Sequence, residues 1–311
     1  MLLPKSFFGG VLMKTASKIL RQRSGNTWFR LLNDVVFKSF FSMDEDLGLL
    51  RQFLSDTLKI PLGELVGITI KNPEITLEDV EQRNVILDLL VEVAGGRLIH
   101  LEIQVGNHAF FKHRVIYQHA RLATGQLKRG DGFELQRQIS LVIVDFALHK
   151  DVPNPEVFHR QFMWRDDSGV VFDDITEIHT VELGRLPKQS DSEEIAWYEL
   201  FKARTDEELR ELAGRSETMR KAVAHLERVS ADENVRRLAE ARDYWMRMDN
   251  SVKEQGYMDG VADERERANA KAFAEKLEKA KNGFSKGYSI EIIHDLTGLE
   301  MTVLRGLQHE L

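Results

Sequence analysis

Two short apolar runs on either side of an Ala-Gly-Gly turn constrain this chain more than any other feature. The runs cover residues 85–91 and 98–105, and each carries one acidic side chain in its interior, Asp88 and Glu102. Strand-length apolar runs around a glycine turn predict a β-hairpin. A carboxylate within such a run is costly to bury unless another group pairs with it. Two carboxylates on adjacent strands therefore indicate a divalent metal ion and, with it, phosphodiester chemistry.

The length of the turn decides whether the two carboxylates meet. If residues 94–96 form a three-residue loop, the numbers of opposed residues sum to 190 and Asp88 faces Glu102, whereas a two-residue loop would place them on opposite faces. Glu102 and Gln104 share a face because side chains alternate along a strand. Opposed carboxylates repel each other, and a bound cation would reverse that effect. A simpler interpretation also stands, in which both acids are solvent-facing residues of a half-exposed sheet.

The hydrophobic period predicts an alternating arrangement of helices and strands. The predicted order is helix–strand–strand–strand–helix–strand, followed by two more strands and then by helices from Glu193 onward. The predicted helices cover residues 28–41, 45–59 and 110–128, and the predicted strands cover residues 66–70, 84–93, 97–105, 139–146, 157–165 and 177–184. This order predicts an α/β fold in which a mixed sheet is followed by a helical C-terminal extension.

A series of short motifs follows the same order along the chain. They are Asn33-Asp34-Val35-Val36-Phe37-Lys38, Ile86-Leu87-Asp88, Leu101-Glu102-Ile103-Gln104, Arg114 with Tyr117, Gln126-Leu127 with Gly130 and Phe133, Ile143-Val144-Asp145-Phe146, Glu177-Ile178-His179, Glu182-Leu183 and Thr297-Gly298-Leu299. In order and spacing, the chain from about Asn33 to its end resembles the recombination-promoting nuclease and transposase family of the PD-(D/E)XK nuclease superfamily. The resemblance implies the αβββαβ core of that superfamily.

The resemblance also implies a magnesium-dependent DNA endonuclease that is linked to the recombination or transposition of mobile elements, with Mn²⁺ as a substitute metal. Asp88, Glu102 and the main-chain carbonyl of Ile103 are the expected metal ligands. They would hold Mg²⁺ where it polarises a phosphate oxygen and lowers the pKa of an attacking water. The alternative is a catalytically weak or silent nuclease fold that serves as a DNA-binding or oligomerising module.

Gln104 departs from the commoner superfamily motif, which has a lysine at this position. Lysine stabilises developing negative charge, whereas glutamine can only orient groups by hydrogen bonds. Lys38 or Arg114 could supply the missing positive charge from a neighbouring helix, and Asp34 resembles the additional acid that many superfamily members carry on the first helix. We count Asp88, Glu102, Gln104, Asp34 and Lys38 as the candidate catalytic residues.

Basic and polar residues recur at three- and four-residue steps along the predicted helix 110–128. Arg114, Tyr117, Arg121 and Lys128 form a stripe opposite the apolar face of this helix. Residues 103–130 contain five basic residues and no acid, although the net charge of the chain is −7, so any DNA-binding surface must be local. We expect the stripe to contact the phosphates of double-stranded DNA. The alternative is a solvated helix face.

Several other kinds of site are excluded or disfavoured. The chain has no cysteine, which excludes disulfides and thiolate metal sites. His108, His113 and His119 lack the four-residue spacing of helical zinc ligands, and we interpret them as incidental or phosphate-facing. No phosphate-cradling GxxxxGK loop supports the further alternative of a small-nucleotide phosphohydrolase.

Composition and charge divide the chain into four predicted segments. Residues 1–27 form a basic leader, expected to be disordered, which could also be a DNA-contacting arm or the product of a start codon before Met13. Residues 28–190 form the nuclease-like domain, residues 191–280 a helical extension, and residues 281–311 a helical hairpin that resembles a helix-turn-helix. Because residues 281–311 hold three basic and four acidic residues, a hairpin for packing or for self-association into a homo-oligomer is favoured there over DNA recognition. The apolar stretches are too short for a membrane span, so we expect a cytoplasmic protein.

Overall fold

A computed structural model of the chain describes residues 28–45, 47–71, 89–107, 109–127 and 132–310. The leader, the predicted metal ligand Asp88 and the predicted DNA-binding residue Lys128 lie outside the described residues. The chain divides into two compact units, of which the first ends at Trp245 and the second covers Met246–Leu311. The predicted segment boundaries at 190 and 280 stay a prediction.

The helices and strands of the first unit follow the predicted order. Its strands are β1 (Thr69–Ile70), β2 (Leu89–Glu92), β3 (Leu98–Gln104), β4 (Gln138–Val144), β5 (His159–Met163) and β6 (Thr176–Glu182), and its helices are α1 (Asp34–Ser42), α2 (Gly48–Leu58), α3 (Phe111–Gly125), α4 (Glu193–Lys202), α5 (Asp206–Arg215) and α6 (Glu217–Ala231). Helix α1 begins later than predicted because Asn33 caps it: the Asn33 side-chain oxygen accepts hydrogen bonds from the main-chain nitrogens of Val35 and Val36.

The described strands form one mixed sheet in the order β1-β2-β3-β4-β6-β5. The strands β3, β4 and β6 are parallel to one another. On either side, β2 pairs antiparallel with β3 and β5 pairs antiparallel with β6, and the edge strand β1 pairs antiparallel with β2. Helix α3 connects the parallel strands β3 and β4, as a parallel pair requires. The predicted α/β class with a mixed sheet is confirmed.

The β2–β3 hairpin has the predicted register. Four consecutive pairs, from Leu89 with Leu101 to Glu92 with Leu98, all have residue numbers that sum to 190. The main-chain nitrogen of Val93 donates to the carbonyl of Arg97 at 2.9 Å, which leaves residues 94–96 as the loop. Both loop glycines have positive φ, the conformation that glycine adopts without steric cost.

The two faces of the sheet are packed differently. On the core face, Ile99 and Leu101 of β3 and Leu141 of β4 join a large apolar cluster with residues of α1, α2 and α4–α6. On the opposite face, which we call the α3 face, a small cluster joins Phe111 and Val115 of α3 to residues of β4. Glu102 and Gln104 alternate with Leu101 and Ile103 along β3, so they project from the α3 face.

The remaining helices lead into the second unit. Helix α7 (Glu233–Ser285) contains the boundary between the units, and α8 (Ile290–Thr297) and α9 (Met301–Glu310) follow it. Within the second unit, the buried side chains of Ala280, Ile293, Leu299, Leu304 and Leu307 form a separate apolar cluster. Gly298 ends α8 with positive φ, and α9 begins three residues later. Among the described residues, no helix is both long and apolar enough to cross a membrane.

Candidate active site

Glu102 is the centre of a small polar site on the α3 face of the sheet. Its side chain is 1% exposed, a degree of burial at which an acid requires a compensating charge. Arg114 of α3 supplies it: Arg114 Nη2 donates to Glu102 Oε1 at 2.6 Å. The same nitrogen donates to Gln104 Oε1 at 2.5 Å. The two oxygens, two residues apart on β3, therefore converge on one cationic nitrogen.

The start of α3 positions Arg114. Phe111 is buried in the cluster on the α3 face, and the Arg114 guanidinium lies over the Phe111 ring at 4.9 Å from its centroid. This cation–π contact and the two oxygen acceptors orient the guanidinium towards the strand. Arg114 was predicted to contact DNA or to supply the charge that Gln104 lacks, and the structure places it beside Gln104.

The side chain of Gln104 is held by the main chain that follows β3. Its Nε2 donates to the carbonyl of Val105 at 3.1 Å, an orientation of the amide that leaves Oε1 directed at Arg114. Gln104 thus acts as an acceptor that positions the guanidinium. A lysine at this position would carry the positive charge itself, whereas here the glutamine orients the positive charge of Arg114 on the neighbouring helix.

Asp34 and Lys38 occupy a different environment, because their helix, α1, packs on the core face. Asp34 forms a two-pronged ion pair with Arg242 of α7, with distances between 2.6 and 3.0 Å. The adjacent Asn33 donates to Asp243 Oδ1 at 2.8 Å, so this motif anchors α1 to α7. Lys38 is 5% exposed. The structure brings together Glu102, Gln104 and Arg114, and the catalytic roles of Asp34 and Lys38 stay predictions.

A comparison of the sequence with protein families identifies the family of this chain. The family model for PD-(D/E)XK nuclease family transposases matches residues 31–255, which include Glu102, Gln104 and Arg114. The chain belongs to this family. No curated protein and no solved structure matches the sequence. Membership supports a nuclease- or transposase-related role and implies DNA as the substrate.

Nucleases of the PD-(D/E)XK type generally use divalent metals. Among the described residues of this family member, no group of three or more His, Asp or Glu side chains is suited to hold a metal ion. The second predicted acidic ligand, Asp88, directly precedes β2 and lies outside the described residues. The predicted metal ligands therefore stay a prediction, of which the structure describes Glu102 and Ile103.

Tyr117 and Arg121, the other stripe residues that the structure describes, lie on the exposed side of α3. Tyr117 is 63% exposed, and the Arg121 guanidinium lies 5.9 Å from the centroid of its ring. Both side chains are accessible to a ligand in solution, as the prediction of a DNA-binding stripe requires. The role itself stays a prediction.

His119 of the same helix is buried beneath α3, which excludes the phosphate-facing interpretation. Its Nδ1 lies 2.8 Å from the hydroxyl of Ser140, and its Nε2 contacts the hydroxyl of Thr176. Burial, and then the nearby His100, lower the pKa of His119 from 6.5 to about 4. His119 therefore joins α3 to the sheet as a neutral imidazole.

A line of buried and half-buried polar side chains, which the sequence did not predict, joins β6 to α4 through β5. Glu177 contacts His179 (3.1 Å), His179 contacts His159 (2.9 Å), and His159 contacts Glu194 (2.6 Å). Burial alone would raise the pKa of Glu177, but hydrogen bonds from His179, Arg137 and Gln161 lower it to about 2. The only sequence signal was the Glu-x-His step within an apolar strand, since the partners come from distant elements.

Proposed function

We propose that this family member is a metal-dependent DNA endonuclease that acts in the cytoplasm on mobile-element DNA. The observation that carries the proposal is the convergence of Glu102 Oε1 and Gln104 Oε1 on one cationic nitrogen. This site lies on the face and strand where the sequence predicted a metal-binding carboxylate pair. In every described pair of the hairpin, the two residue numbers sum to 190. The same sum is the one from which Asp88 was predicted to lie opposite Glu102.

The donor atoms suit a hard divalent cation. Glu102 provides a buried carboxylate, and the proposed partners, Asp88 and the carbonyl of Ile103, provide further oxygens. Oxygen donors are the ligands that Mg²⁺ and Mn²⁺ prefer. A metal bound there supplies a Lewis acid that polarises the phosphate and lowers the pKa of the attacking water.

Arg114 would stabilise the charge that develops on the phosphate. About a third of its side chain is exposed, so the guanidinium is accessible to an incoming phosphate oxygen. In this proposal Glu102 binds the metal, Gln104 positions Arg114, and Arg114 replaces the lysine of the commoner motif. Guanidinium groups bind phosphates with two parallel hydrogen bonds, which also favours this assignment.

One observation favours the alternative of a catalytically silent module. The Arg114 guanidinium already neutralises Glu102, and a carboxylate with such a partner has less affinity for a metal. In this alternative the fold binds DNA or self-associates through the C-terminal helices without cleaving its ligand. The two proposals make different predictions for metal-dependent nicking.

Nicking of supercoiled plasmid by the purified full chain, with Mg²⁺ or with EDTA, tests the proposal. Wild type is expected to nick with Mg²⁺ and not with EDTA. Asp88→Ala and Glu102→Ala are each expected to abolish nicking and to leave the far-UV circular dichroism unchanged. Glu92→Ala is the matched control, because Glu92 is a β2 carboxylate that is paired at the surface with Lys71.

Two outcomes would overturn the assignment. If wild type does not nick plasmid with Mg²⁺ or Mn²⁺ but binds DNA, the silent-module alternative is correct. If Asp88→Ala and Glu102→Ala both nick at the wild-type rate, the catalytic metal site lies elsewhere in the chain.

A further inference from the structure

Exposed rings lie at the N-terminal cap and along the first two turns of α3, next to the candidate active site. Phe110 is 77% exposed and Tyr117 is 63% exposed, and His113 between them is also exposed. At 3.6 residues per turn, His113 and Tyr117 lie about 40° apart around α3, and Phe110 is the residue at the N-terminal cap of this helix. We call Phe110, His113 and Tyr117 the aromatic ridge.

The first residue of the ridge has an unusual backbone conformation. Phe110 has a left-handed backbone with φ of 62°, which is unfavourable for any residue but glycine. Its ring stacks on that of His113, with centroids 5.8 Å apart and planes inclined by 28°. The backbone strain thus coincides with a large apolar ring that is held in solvent and continues into a neighbouring exposed ring, and contiguous exposed patches of this kind mark interaction surfaces.

The charge around the ridge selects an anionic partner. Helix α3 contains Lys112, Arg114 and Arg121 and no acid, although the whole chain carries a net charge of −7. The Arg121 guanidinium lies against the ring of Tyr117. Aromatic faces interleaved with cations fit nucleobases joined by phosphates, because every base has a π-face and every linkage a negative charge.

A second exposed aromatic patch lacks the positive charge that surrounds the ridge. The β5–β6 hairpin exposes Trp164 and Phe172, but its neighbouring acids are Asp166, Asp167, Asp173 and Asp174. Phosphates would be repelled from that patch. The hairpin is therefore a matched control for the loss of an exposed aromatic ring.

Resting on the proposed function, we propose that the aromatic ridge binds unpaired nucleobases, so that the substrate is DNA with a single-stranded segment beside the cleaved linkage. Base faces are covered in a duplex and become available to a ring only where a base is unpaired. The rise from Phe110 to Tyr117 is about 10 Å, the length of about three stacked nucleotides. Arg114 lies four residues after Phe110 and connects the ridge to Glu102.

Binding in EDTA, where the proposed cleavage cannot occur, tests the ridge separately from the nuclease activity. A labelled oligonucleotide is titrated as a single strand and as a blunt duplex. Phe110→Ala and Tyr117→Ala are each expected to weaken single-strand binding by about 5- to 150-fold and to reduce the preference for single strand over duplex. Tyr117→Phe, which keeps the ring, should retain that preference, and so should the control Phe172→Ala. With 2-aminopurine in the strand, wild type should quench the fluorescence and Phe110→Ala should not.

The outcomes separate the two proposals. If the alanine variants bind single strands as wild type does, or lose single-strand and duplex affinity equally, the ridge does not stack bases, whatever the plasmid nicking shows. If wild type nicks plasmid with Mg²⁺ but does not quench 2-aminopurine, the endonuclease proposal stands and the ridge proposal is wrong. If wild type neither binds DNA nor nicks it, both are wrong.

Discussion

On the core face of β3, Leu101 is fully buried among apolar side chains; on the α3 face, the adjacent Glu102 is almost as buried, yet its partners are a guanidinium and an amide. The core face joins strands to helices from both ends of the first unit in one large apolar cluster. The α3 face has a small apolar cluster together with buried polar contacts such as His119 with Ser140. Burial therefore has two different uses on one strand, because one face stabilises the fold while the other positions charges.

The largest expected effects come from removing the apolar side chain on one face, or the carboxylate on the other, at two adjacent residues. Leu101→Ala should lower the free energy of unfolding by about 2–5 kcal/mol, because it leaves a cavity in a packed cluster. Glu102→Gln keeps the side-chain volume and should lose more than about 100-fold in nicking, since even residues that only support a metal ligand are worth about 10–100-fold. Urea unfolding and plasmid nicking of both variants measure this difference. If Leu101→Ala mainly reduced nicking and Glu102→Gln mainly reduced the free energy of unfolding, the division of roles between the faces would be contradicted.

The next effect concerns the charge on the α3 face. Arg114→Gln removes the proposed phosphate donor and should lower nicking by about 100- to 1,000-fold. Adding Gln104→Lys to that variant returns a positive charge to the site and should recover part of the activity. Single-turnover nicking at saturating Mg²⁺ compares the three proteins. Full activity in Arg114→Gln would show that the guanidinium only neutralises Glu102.

A third prediction uses pH to test the polar packing of the α3 face. The pKa of His119 is about 6.5 unfolded and about 4 folded, so the unfolded chain binds the proton first as the pH falls. The contribution of the neutral, buried His119 to the free energy of unfolding is therefore complete above pH 6.5. It is lost between pH 6.5 and about 4, and the loss is at most about 3 kcal/mol. His119→Asn should remove this part of the pH dependence. Identical pH slopes for wild type and His119→Asn in urea unfolding would contradict it.

The smallest effect is expected at the outer surface of α3. Arg121→Ala should reduce the slope of log affinity against log salt by roughly one, equally for unrelated duplex sequences, because one phosphate contact releases one counterion. Titrations at several salt concentrations measure the slope. If the slope is unchanged and deletion of residues 281–311 removes most of the affinity instead, the C-terminal hairpin is the DNA-binding element.

Local sequence signals predicted the hairpin and its register. Residues 94–96 have the two glycines that a three-residue loop needs, and the loop length sets which residues are opposed. The alternation of Leu101 with Glu102 likewise predicted which side chains share a face. The start of α1 at Asp34 was not predicted, because the cap at Asn33 interrupts an apolar pattern that begins earlier.

Turn chemistry and side-chain periodicity are properties of neighbouring residues, so the order of helices and strands, the hairpin register and the Glu102–Gln104 motif follow from the sequence. Which charge meets each acid depends instead on how the elements pack together. Arg114 reaches Glu102 because α3 crosses back over the sheet, and Asp34 meets Arg242 from a position 208 residues away in the chain. Such pairs carry no local pattern, because a buried charge selects its partner by distance and desolvation after the elements have packed.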